Sequence, residues 1–263
     1  MPPDLLLELR DLRKRYDGHL AVRGVSFAAA PGEIVGLVGP NGAGKTTTLR
    51  CTAGILSPSA GSVHVAGVDM ARDPVAAKRA LAFVPDEPHL FDYLTVEEHL
   101  RFVARLYGVR DAAARAPALL AELELEDKRR ALPGELSRGM RQKLAIACAL
   151  LHDPRLLLLD EPLTGLDPLG MRRMKATIAA RAGAGAAVVL SSHLLHVVEE
   201  LCTRVVVLYR GSVAAQGALA DLVAQRPDLA GRSLEEVFEA LTTGGAPSVG
   251  APSAGAPGAA GVV

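Results

Sequence analysis

Apolar and polar positions follow two repeating patterns along the chain. Short apolar runs predict strands at residues 5–12, 22–29, 33–39, 62–67, 80–85, 156–160, 186–192, 204–210 and 212–217, with stretches of helical period between many of them. The early runs are joined by Gly and Pro turns and read as antiparallel. The run LLLLD at 156–160 is apolar almost throughout, as a strand buried on both faces must be. This alternation predicts an α/β protein with a largely parallel sheet. Between residues 95 and 152 the strand pattern vanishes. Thr95 and Glu98, at capping-box spacing, open a stripe of Leu100, Val103, Ala104 and Tyr107, which predicts a helical insertion over about 87–150. A second such pair, Ser233 and Glu236, predicts a short terminal helix within a 225–243 extension. Residues 244–263, rich in Gly, Ala, Pro and Ser, carry neither charge nor aromatic ring and read as a disordered tail. The nucleus of the protein is expected within residues 1–224.

Composition narrows the functional classes. The chain has 263 residues, 49% of them hydrophobic, which suffices for one large domain or two small ones. Lys and Arg number 29 against 29 Asp and Glu, so no overall basic field exists to coat nucleic acid or anionic lipid. Cys51, Cys148 and Cys202 lie too far apart for a zinc spacing or a dense disulfide framework, which predicts a reducing compartment. The N-terminus carries Asp4 and Glu8 around a short apolar run and does not read as a signal peptide. No stretch approaches the ~20 apolar residues of a membrane span. A cytoplasmic protein is expected.

The strongest chemical signal is GPNGAGKT, Gly39 to Thr46, directly after the strand EIVGLV and at the opening of a helix. Glycines at 39, 42 and 44 let backbone N–H groups converge on a phosphate, and the helix N-terminus adds partial positive charge. Lys45 can reach β- and γ-phosphates, the Thr46 hydroxyl can ligate Mg²⁺, and Asn41 and Thr47 complete the expected nucleotide contacts. The second half of such a site is LLLLDEP, where Asp160 and Glu161 end an apolar strand. Asp160 is placed to hold Mg²⁺ beside Thr46. Glu161 can take a proton from a water attacking the γ-phosphate.

With these motifs and four others in order, the chain resembles the nucleotide-binding subunit of ATP-binding cassette (ABC) transporters, most of all the ABC-2 type exporter ATPases. LSRGMRQKL, Leu136 to Leu144, is similar to the family's signature. GLDP, Gly165 to Pro168, resembles its D-loop, and SSHLLHVVE, Ser191 to Glu199, its switch-histidine segment. RYDGHLAVRGVSF, Arg15 to Phe27, resembles its adenine-stacking loop. The resemblance implies a P-loop NTPase core with an antiparallel β subdomain and an inserted helical subdomain, binding ATP and Mg²⁺. It puts Tyr16 against adenine and His193 on the γ-phosphate. It carries Ser137 and Gly139 to the nucleotide of a second cassette in a head-to-tail, ATP-dependent dimer, formed with itself or a related chain, and counts Asp167 of the D-loop among the nucleotide-binding residues. It implies separate integral membrane permease subunits and a place at the cytoplasmic face of the membrane, and the balanced charge adds the expectation of no nucleic acid partner. His193 and His196 also stand three apart on an expected helix, but without a third ligand they do not make a metal site.

Two motifs depart from the family pattern. Asp86 stands where the family usually has a glutamine. It could ligate Mg²⁺, and as an anion it would also repel a γ-phosphate. In the signature, Arg138 and Met140 stand where glycine and glutamine are commoner, and Arg138 either adds charge near a partner's nucleotide or is simply solvated. Leu90, Phe91 and Tyr93 either form a docking surface for a permease helix or pack the helical insertion. Two alternatives stay open on sequence alone: a non-transport ABC ATPase acting on nucleic acid or ribosomes, and a regulatory module that binds nucleotide without hydrolysing it.

Overall fold

The computed structural model describes residues 5–224 and residue 236. Strands β1 (Leu7–Tyr16) and β2 (His19–Ala29) form a hairpin, and β4 (Ala60–Val65) and β5 (Val68–Asp69) extend it into an antiparallel sheet of order β2-β1-β4-β5. A second sheet has the order β10-β9-β3-β8-β7-β6, from β3 (Ile34–Val38), β6 (Leu81–Val84), β7 (Leu156–Asp160), β8 (Ala187–Ser191), β9 (Arg204–Tyr209) and β10 (Ser212–Gly217). All its pairings are parallel except β9 with β10. Among the described residues, each of three hairpins closes through two residues with positive φ: Asp17-Gly18, Ala66-Gly67 and Arg210-Gly211. That turn matches the natural strand twist. It carries β1 four residues beyond the end expected from apolar pattern, while the two-residue β5 lies below what pattern can detect.

The central strands are buried along their whole length, so their side chains divide between two cores by simple alternation. Leu156, Leu158 and Val189 face the antiparallel sheet, together with Leu7, Val25 and Leu49. Leu157, Leu159, Val188 and Leu190 face the opposite layer of helices. Helix α1 (Lys45–Thr52) contributes Leu49 and Cys51 to the first core, and α2 (Pro74–Arg79) contributes Ala77.

The helical layer contains α3 (Val96–Tyr107), α4 (Ala112–Glu122), α5 (Arg138–Leu151), α6 (Pro168–Gly183) and α7 (Leu195–Leu201); α8 (Leu219–Ala224) follows β10. The region between β6 and β7 contains only helices and turns. At its start Thr95 Oγ1 accepts from the Glu98 amide, and the Glu98 carboxylate accepts from the Thr95 amide, forming the capping box that the sequence predicts. Glu122 at the end of α4 accepts from Thr177 and Arg181 of α6, which ties the inserted helices to the core. Helix α7 lies close on β3: a methyl group at Gly36 would stand 2.6 Å from Val198 Cγ1 and 3.0 Å from Cys202 Sγ. Of the expected terminal helix only Glu236 is described, and the expected tail lies outside the described residues.

Candidate nucleotide site

Four parallel strands deliver the site from their C-terminal ends, where open α/β sheets bind ligands. β3 runs into the glycine loop and α1, β6 into Asp86, β7 into Asp160 and Glu161, and β8 into Ser191 to His193. These ends surround a cleft of about 650 Å³. Asn41, Gly42, Gly44, Lys45, Thr46 and Thr47 line one wall, and Asp86, Asp160, Glu161 and His193 line the others.

Gly44 sets the geometry of the loop. It precedes α1 in the left-handed region with φ 101°, and a methyl group there would come within 2.8 Å of the Ala21 carbonyl oxygen. No other residue type fits both demands. Lys45 is 9% exposed and donates from Nζ to the carbonyl oxygens of Gly39 at 2.6 Å and Pro40 at 3.3 Å. Burial pushes its pKa down, and the nearby charges of Glu161 and Asp160 pull it partly back. A phosphate anion in the cleft would offset the same burial cost.

Asp160 is 2% exposed, and its Oδ1 accepts from two hydroxyls, Ser191 Oγ at 2.5 Å and Thr46 Oγ1 at 3.3 Å. A buried carboxylate beside a hydroxyl at a helix start is an all-oxygen donor set of the kind that suits Mg²⁺. Glu161 has φ 49°, and its amide donates to both Ser191 Oγ at 3.1 Å and the Ser191 carbonyl oxygen at 3.2 Å. Its Oε2 in turn accepts from His193 Nδ1 at 2.8 Å and from the His193 amide at 3.3 Å. The ring of His193 is thereby fixed at the cleft mouth, although its side chain is 57% exposed. His193 precedes α7 rather than riding on it, so it does not share a helix face with His196.

The other sequence candidates stand apart from this cleft. Tyr16 ends β1, 40% exposed, with Lys14 Nζ 5.2 Å from its ring centroid; it does not line the cleft, whereas its register partner His19 does. Ser137 caps α5 by accepting from the Met140 amide at 3.2 Å, and Gly139 packs against the Gly165 carbonyl. Asp167 caps α6 by accepting from the Gly170 amide at 2.7 Å. None of these three lines the cleft of its own chain. Sequence reading missed Ser191 as a functional residue. Its one signal was a hydroxyl ending an otherwise apolar strand.

A glycine loop between a buried parallel strand and a helix, with a strand-ending acidic pair at its mouth, defines a P-loop nucleotide-binding protein. The family model described as ABC transporter matches residues 22–164. The ABC-type transporter ATP-binding protein EcsA of Bacillus subtilis is 37% identical over 219 residues, covering 82% of this chain and 89% of that protein. The Nod factor export ATP-binding protein I of Burkholderia pseudomallei is 42% identical over 214 residues, covering 81% of this chain and 70% of that protein. A solved structure titled as the ATP binding subunit of an ABC transporter superposes with TM-score 0.86 at 39% identity, over 90% of this chain and 99% of that one. The chain belongs to the ABC transporter family, as an ATP-binding subunit. Such subunits are ATPases that drive transport through membrane partners. No helix among the described residues is long and apolar enough to cross a membrane.

Proposed function

We propose that this chain is the ATP-hydrolysing motor of an exporter and works at the cytoplasmic face of the membrane. The observation that carries the catalytic reading is the acidic pair ending β7: Asp160 bonded to Thr46, and Glu161 bonded to His193, at one cleft. In this reading the amides of the glycine loop and Lys45 bind the phosphates. Thr46 and Asp160 would hold Mg²⁺, which would neutralise charge on the phosphate oxygens. Glu161 orients the attacking water and accepts its proton. His193, held through Nδ1 on the Glu161 carboxylate, stands at the cleft mouth as the γ-phosphate contact. Asp86 reaches the same cleft with its carboxylate bonded to Arg138.

Ser137, Gly139 and Asp167, remote from the cleft of their own chain, fit a head-to-tail dimer in which they meet the nucleotide of the other cassette. The nucleotide-binding unit in this reading spans residues 1–224, with the helices of about 87–150 inserted. Export is supported by the name of the Burkholderia relative. The permease contact is assigned to an apolar groove of about 610 Å³ beside the segment after β6, lined by Phe83, Leu90, Phe91, Phe102, Leu106 and Tyr107. Phe91, expected either to dock or to pack, has features of both. Its ring meets Phe102 edge-on at 5.2 Å between centroids, yet the residue stays 54% exposed. The balanced net charge supports a reading without a nucleic acid partner.

The test is ATP hydrolysis by purified protein beside Glu161→Gln, with size-exclusion chromatography in ATP and Mg²⁺. Turnover by wild type, with arrest and dimer accumulation in the variant, is the expected result. Equal turnover by the two proteins removes Glu161 as the base, and a stable complex with an importer permease and its binding protein refutes export.

A further inference from the structure

The two charged residues that depart from the family pattern, Asp86 and Arg138, are bonded to each other. Arg138 Nη2 donates to Asp86 Oδ1 at 3.2 Å, joining the first residue of α5 to the segment after β6 across 52 positions of sequence. The stem of Arg138 crosses Gly165: a methyl group there would stand 3.1 Å from Arg138 Cδ. The two side chains are 56% and 48% exposed. A pair so open to water contributes little to folding stability. Its importance lies in where Asp86 stands.

Asp86 lines both the nucleotide cleft and an adjoining polar cavity of about 600 Å³, where Arg138 and Arg141 also stand. Among the described residues lining the nucleotide cleft, Lys45 is positive and Asp86, Asp160 and Glu161 are negative. With histidines neutral the wall therefore carries one positive charge against three negative ones, a balance that opposes a polyphosphate anion. Asp160 is covered by hydroxyls and Glu161 by His193, whereas Asp86 is covered by a cation.

We propose that Arg138 is a positioning residue that masks the Asp86 carboxylate, allowing an aspartate to stand at this cleft without repelling the phosphates of ATP. The masking rests on the reading of the cleft as the ATP site. It makes the two charged departures from the family pattern a single electrostatic unit: an anion introduced on the core side and a cation introduced on the helical side. Removing Arg138 alone exposes the anion; removing both charges leaves Lys45 against Asp160 and Glu161 alone.

The experiment is equilibrium binding of trinitrophenyl-ATP to the full chain in EDTA at low salt, for wild type, Arg138→Gln, Arg138→Lys, Asp86→Asn, the Asp86→Asn/Arg138→Gln double variant and Lys45→Ala. Melting temperatures are recorded for each. Arg138→Gln is expected to weaken binding about five-fold, with the loss shrinking in high salt. Arg138→Lys retains most of the affinity, and the double variant binds as tightly as Asp86→Asn alone. Adenosine, which has no phosphate, competes equally well against all variants. Unchanged binding in Arg138→Gln overturns the masking, as does a loss that persists when Asp86 is Asn. If Lys45→Ala also binds as wild type does, the assignment of the cleft to ATP falls, and the masking with it.

Discussion

Ser191 Oγ stands 2.5 Å from Asp160 Oδ1 while accepting from the amide of Glu161, so one hydroxyl on β8 fixes both acidic residues that end β7. The register of the two strands pairs Asp160 directly with Ser191. Both acidic groups are therefore positioned by the neighbouring strand rather than by their own loop. Ser191→Ala leaves the fold intact and removes a buried bond to a charged group. Its kcat for ATP should fall about ten-fold or more, with a far smaller change in melting temperature. Steady-state ATPase assays beside thermal melts read both quantities, and an unchanged kcat would remove Ser191 from the site.

The groove beside α3 should be separable from catalysis. Leu106 is 67% exposed on its rim, so Leu106→Glu is tolerated by the fold. ATP hydrolysis by the isolated subunit is expected to match wild type, whereas co-purification with the co-expressed permease is lost. A complex that survives the charge places the permease elsewhere.

Gly36 tests the packing of α7 on β3. Gly36→Ala puts a methyl group into Val198 and Cys202 in a core strand, and overpacking of this kind costs about 1–3 kcal/mol. Chemical denaturation should show a lower midpoint with an unchanged slope.

The capping box of α3 gives a pH dependence of known sign. The Thr95 amide and hydroxyl hold the Glu98 carboxyl below the usual carboxylate range. A depressed carboxylate stabilises the fold above its unfolded-state pKa, and that contribution is lost as pH falls through the folded value. Acid denaturation should therefore begin at higher pH in Glu98→Gln than in wild type. Thr95→Ala costs about 1 kcal/mol at neutral pH.

The three cysteines are expected to be chemically silent in the native state. Burial pushes the Cys51 thiol up to about 11 and those of Cys148 and Cys202 up to about 12. At pH 8 almost no thiolate exists for attack. A thiol-specific disulfide reagent should report all three groups only after denaturant is added.

The sequence by itself determined the elements and the chemical vocabulary of this protein. Wholly apolar runs ending in a glycine loop or in Asp160 and Glu161 can only be buried strands that present polar groups at one end, because burial and exposure then alternate within a few residues. The capping box at Thr95 is equally local: it needs only residues three apart, and it forms as read. Tertiary structure alone decided which strand ends adjoin. β3 lies between β8 and β9, and β7 between β8 and β6, an order that follows from long-range pairing and not from any local pattern. That order brings Ser191 to Asp160, sets His193 on Glu161 ahead of α7, and leaves Tyr16 outside the cleft. It also joins Asp86 to Arg138, two charges whose roles could not be settled one at a time, because the effect of a charge depends on the neighbours that the fold supplies.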